Sequence, residues 1–136
     1  MKVVHEGDKS SVFLVESGPP DFERAAIKLY QRIYDRTAAG LEKKYGMPSE
    51  AEIGQKLNHP GGPHPRYPIV HTIEGGREFG KRTGRRYIVQ EFIEGVALKR
   101  LITCRDPRVA HYPAAFLLQT CKALQIMHKA GFVYRD

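Results

Sequence analysis

The sequence predicts an α+β chain in which a small antiparallel sheet gives way to helices. Three observations predict it. β-branched and aromatic segments, separated by turn residues, recur from Val3 as far as Phe92. One capped helical stretch interrupts them after Pro48. Beyond Gly95 the apolar residues change from alternation to helical spacing.

Val3-Val4 and Val12-Phe13-Leu14-Val15 read as two strands joined through the turn-like Glu6-Gly7-Asp8-Lys9. Ser17-Gly18-Pro19-Pro20-Asp21 is a second turn, leading into a third strand, "RAAIKLY". Alternation puts Ala26, Lys28 and Tyr30 on one face of that strand and Ala25, Ile27 and Leu29 on the other. Ser49 with Glu52 three residues later has the form of a capping box, in which each residue satisfies an orphan N–H of the other. Glu50, Ile53 and Leu57 then share a helical stripe. The prolines of "HPGGPHPRYP" end that helix. Ile69 to Ile73 and Tyr87 to Phe92 read as the fourth and fifth strands, with "EGGREFGKRTGRRY" between them as a solvated basic hairpin. Pro113 suits the first turn of a long last helix and Gly131 its C-cap. Leu117, Cys121, Leu124 and His128 form its stripe, with Lys129 near the negative end of the dipole. So little sequence is left to cover this helix that the chain is expected to be a piece of a longer protein.

The 136 residues are 41% hydrophobic and 27% charged, the balance of a globular domain and not of a disordered tail. No apolar run nears the roughly 18 residues of a membrane span. Cys104 and Cys121 form no CxxC pair, and two scattered thiols suit a reducing, intracellular, cytoplasmic setting. His59 and His64 stand among prolines and glycines without the spacing of metal ligands, so no metal site is expected from them. The net charge of +7 favours polyanionic partners, and Arg77, Lys81, Arg82, Arg85 and Arg86 concentrate part of it. No interleaved aromatics accompany that cluster, so nucleic acid is the weaker choice of partner.

Five pieces in order, "HEGDKSSVFLV", "AAIK", "EAEIGQKLNHP", "YIVQEFIEGVAL" and "GFVYRD", resemble the signature set of the protein kinases. The resemblance spans nearly the whole chain. It implies a kinase-like fold: a five-stranded antiparallel N-lobe sheet with helix C over residues 1–92, then the hinge and first helices of an incomplete C-lobe over 93–136. It also implies binding of ATP with Mg²⁺ and transfer of the γ-phosphoryl group to a protein substrate, with serine or threonine as the acceptor on frequency alone.

Residue by residue, the resemblance places Gly7 on the second glycine of the phosphate-covering loop, with His5 and Ser10 in place of the first and third. Val12 and Ala26 would flank the adenine, and Lys28 would reach the α- and β-phosphates. Glu50 would orient Lys28, although Gly46-Met47-Pro48 just upstream puts it in the first turn of a shortened helix, which leaves a swung-out helix open. Gln90 would be the gatekeeper, with the backbone of Glu91 and Ile93 on the adenine edge. Asp136, after Tyr134 in place of the family's histidine, would accept the substrate proton. The metal-binding asparagine and D-F-G do not follow it, so this stretch alone should transfer phosphate poorly. A pseudokinase or docking module, and a kinase-like small-molecule phosphotransferase, remain open as alternatives.

Overall fold

The computed structural model describes residues 2–16, 22–78 and 84–133. The expected turn at Ser17 to Asp21, part of the basic hairpin, and Tyr134, Arg135 and Asp136 lie outside these residues. Five strands form one antiparallel sheet in the order β1-β2-β3-β5-β4: β1 (Lys2–Glu6), β2 (Ser10–Val15), β3 (Ala25–Tyr30), β4 (Thr72–Arg77) and β5 (Arg86–Glu91). Helix α1 (Arg32–Tyr45) and helix α2 (Glu50–Leu57) come between β3 and β4. Three helices follow the sheet: α3 (Leu98–Thr103), α4 (Pro107–His111) and α5 (Pro113–Lys129).

The register fixes which side chains share a face. Val12 lies opposite Lys28 and Lys28 opposite Ile88; Leu14 lies opposite Ala26 and Ala26 opposite Gln90. Directly opposed side chains point the same way, so Val12, Ala26, Lys28, Tyr30, Ile88 and Gln90 project from one face. Tyr30 and Ile88 on that face are buried, as is Leu57 of α2.

Helix α2 forms as the sequence dictates. The Ser49 hydroxyl accepts the Glu52 N–H, and the Glu52 carboxylate takes the Ser49 N–H at 2.7 Å, so the capping box is complete. The helix lies on β4 at two points where a side chain would not fit. A Cβ on Gly75 would overlap the Ala51 side chain, and a Cβ on Gly54 would overlap the Thr72 hydroxyl. This close approach requires glycine on one surface at each point.

Helix α1 was not foreseen, and its packing explains why. Its buried residue is Asp35, which binds Arg77 at 3.1 Å and also pairs with the Arg86 Nε. Arg86 reaches on to Glu42, one heptad further along α1, at 2.6 Å. An ionic seam holds this helix, so no apolar stripe announces it. The same contacts correct the solvated hairpin: Arg77 and Arg86 belong to the fold, and Arg85 is paired with Glu78 at 2.8 Å.

Two further boundaries move. The fourth strand starts at Thr72 and not at Ile69, and it runs through the glycines counted with the basic hairpin. Asn58 accounts for the start, because its side-chain amide takes the Thr72 N–H at 2.8 Å and donates to the Thr72 carbonyl at 2.7 Å. The last helix has Pro113 in its first turn as expected, and Gly131 follows it at φ 82°. Its covered side differs from the expected stripe: Leu117 and Cys121 are exposed. Leu124 of that stripe, joined by Ala123 and Met127, lines a groove of about 730 Å³ against Pro65, Tyr67 and Pro68.

Candidate active site

Lys28 and Glu50 meet. The Lys28 Nζ donates to Glu50 Oε1 at 2.6 Å, across 22 residues of sequence. β3 delivers the lysine and the first residue of α2 delivers the glutamate. The first-turn position expected for Glu50 is therefore observed, and the helix is swung in, not out. The lysine side chain is 28% exposed and the glutamate 52%, so the pair alone contributes at most about 1 kcal/mol. Its place is set by the docking of α2 on β4 and not by its own attraction.

A third residue completes the cluster. The Tyr30 hydroxyl donates to Glu50 Oε2, so each carboxylate oxygen has its own donor. Tyr30 is buried, and burial, followed by the hydrogen bond to Glu50, pushes its phenol well above the ordinary tyrosine range. It remains a neutral donor at any physiological pH. The sequence contained the signal, because alternation already set Tyr30 beside Lys28 on one face.

The other expected site residues within the described stretches differ in their surroundings. Val12 and Ala26 are half-buried on the Lys28 face, small or compact beside the ammonium. Gln90 shares that face, but its amide is tied to the Thr72 hydroxyl at 3.2 Å. The Glu91 N–H donates to the His71 carbonyl at 3.0 Å, and its carboxylate accepts the His71 N–H at 2.7 Å. Ile93 is exposed beyond the end of β5. Arg24 grips this segment, with a 2.9 Å ion pair to Glu94 and its guanidinium 5.5 Å from the Phe92 ring centre. Gly7 lies in the turn from β1 to β2 and its N–H donates to the Ser10 carbonyl at 3.0 Å. The His5 imidazole stands over Gly7, with Nε2 3.0 Å from where a Cβ would sit. Asp136 lies outside the described residues.

Comparison with known proteins by sequence gives relatives of one kind. Over 114 residues the chain is 29% identical to the serine/threonine-protein kinase PknA of Mycobacterium tuberculosis, covering 83% of this chain and 24% of that protein. The chain is thus similar to serine/threonine protein kinases. Over 87 residues it is 28% identical to the serine/threonine-protein kinase PknB of the same species, covering 64% of the chain and 13% of PknB. A probable serine/threonine-protein kinase of Streptomyces coelicolor has the same identity over the same length, which is 12% of that protein. The chain thus spans less than a quarter of the length of each of these relatives. No family model matches it. Its sheet and helices form a kinase-like fold, and among the described residues no helix is long and apolar enough to cross a membrane.

Proposed function

We propose that this chain is the nucleotide-binding part of an ATP-dependent protein kinase that phosphorylates serine or threonine hydroxyls. The observation that carries the reading is the 2.6 Å contact of Lys28 with Glu50, on the sheet face that also bears Val12 and Ala26. ATP supplies the phosphoryl group and Mg²⁺ neutralises its charge. The residues suit that ligand: Val12 and Ala26 leave room for a flat base, and a fixed ammonium stands beside them. Lys28, oriented by Glu50, holds the α- and β-phosphates, while Gly7 and Ser10 bring the β1–β2 turn over them. Gln90 borders the back of the pocket, and the backbone of Glu91 and Ile93 meets the adenine edge. Asp136 takes the proton of the attacking hydroxyl. Residues 1–92 form the N-lobe and 93–136 the hinge and start of the C-lobe. Neither D-F-G nor the metal-binding asparagine occurs in the chain, so phosphotransfer is proposed of the full-length protein and not of residues 1–136 alone. The choice of serine or threonine follows the names of the relatives.

Titration of the full-length protein with Mg·ATP tests the nucleotide site. Binding is expected, and Lys28→Met should weaken it roughly tenfold, the loss of one charge-assisted contact. Equal affinity in the two proteins would overturn the assignment of Lys28.

One observation favours a second reading, a docking module without phosphotransfer. The Gly7 N–H is spent on Ser10, and the His5 ring occupies the space that a phosphate-covering glycine leaves open. Folded full-length protein that binds no Mg·ATP would select this reading.

A further inference from the structure

We infer that Tyr30 is a positioning residue of the nucleotide site, holding Glu50 in the geometry that lets it orient Lys28. The inference rests on the nucleotide-site reading and extends it to a residue that the kinase signature set does not contain. Glu50 is the first residue of an eight-residue helix, directly after Pro48 and Ser49, so no helical turn precedes it to fix its backbone. Its side chain is half exposed, and an ion pair with a flexible lysine gives such a carboxylate little orientation. Tyr30 supplies what is missing. Its hydroxyl is carried by a rigid ring on β3, two residues from Lys28 and on the same face, and it donates to the carboxylate oxygen that Lys28 leaves free.

The ring itself cannot swing away. Tyr30 is 3% exposed, stacked on Tyr34 of α1 at 5.9 Å between ring centres and nearly parallel at 6°. The Lys28 ammonium lies 5.0 Å from the ring centre and the Arg86 guanidinium 5.3 Å, so two cations face one π-system. Arg86 is in turn held by Asp35 and Glu42 of α1. The donor that aims Glu50 is therefore braced by the ionic seam of α1. A carboxylate with two fixed donors has one preferred plane; with one mobile donor it does not.

The test is steady-state phosphorylation by the full-length protein, measured for Tyr30→Phe, Glu50→Gln and the double variant, with Lys28→Met as reference. Tyr30→Phe keeps the buried ring, so it folds, and its melting curve checks this. The expected result is a fall of about tenfold in kcat/KM for ATP, carried by the loss of a hydrogen bond to a charged group. In the Glu50→Gln background the same change should have little further effect, because the two residues act through one contact. Unchanged kcat and KM in Tyr30→Phe would overturn the inference. So would a loss of the same size with and without Glu50, which marks a role in folding only. If Lys28→Met abolishes turnover while Tyr30→Phe leaves kcat/KM for ATP unchanged, this inference alone fails; if Lys28→Met leaves turnover intact, the nucleotide-site reading falls and this one with it.

Discussion

Ala51 of α2 and Gly75 of β4 are packed so closely that a Cβ on the glycine would overlap the alanine side chain. Thr72 and Gly54 repeat the relationship nearby, with the side chain on the strand and the glycine on the helix. These two points set the height of α2 above the sheet, and with it the reach of Glu50 toward Lys28.

Gly75→Ala should therefore lift α2. Overpacking of this kind costs about 1–3 kcal/mol, readable as a lower urea midpoint. Affinity for Mg·ATP should fall in the same variant, because Glu50 moves with its helix. A variant as stable as the parent, with unaltered affinity, would show that α2 is not held at these points.

Asp35 is 6% exposed and faces both Arg77 and Arg86. Asp35→Ala leaves two guanidinium groups short of a partner, one of them only 14% exposed. Removal of one member of a buried ionic cluster costs roughly 3 kcal/mol, reduced here because Arg77 is partly solvated. Chemical denaturation should show that loss, and the circular dichroism of the unstressed variant should show less helix as α1 detaches.

Tyr30 gives a prediction at alkaline pH. Burial and the bond to Glu50 raise its pKa above the ordinary value of 10.0. The stability that neutral Tyr30 confers is complete below that ordinary value. It is lost as pH rises above it, where the unfolded chain releases the proton first. Of seven tyrosines, Tyr30 should stay silent in an ultraviolet absorbance titration until the protein unfolds. Tyr30→Phe should leave the amplitude before unfolding unchanged and reduce the final one.

The capping box of α2 makes the opposite prediction in acid. The Ser49 N–H, and then its hydroxyl, hold the Glu52 carboxyl below its ordinary 4.5. Its contribution is present above that value and disappears as pH falls through the lowered pKa. Ser49→Ala should cost about 1 kcal/mol at neutral pH, and less once Glu52 is protonated. Denaturation midpoints at neutral and acid pH compare the two directly.

What was legible in the sequence depended on what holds each element. β2, β3 and β5 alternate, and α2 carries its own cap, so local pattern sufficed for them. The kinase resemblance brought Lys28 and Glu50 together before any geometry was known. Helix α1 was invisible because its inward face is Asp35 and Glu42, which only Arg77 and Arg86 far along the chain make sense of. Gly75 was counted with the basic hairpin, since the reason for glycine there is Ala51 on another element. Tyr30 sat in plain view on the Lys28 face, but a tyrosine on a strand announces a core residue until the carboxylate beside it is seen.

Phosphate transfer from radiolabelled ATP to a protein substrate, by the full-length protein and its Lys28→Met variant, tests the central claim most directly. Transfer by the parent that Lys28→Met reduces to background is the predicted result. Transfer that survives Lys28→Met, or a folded parent that binds Mg·ATP and labels no protein hydroxyl, would contradict it.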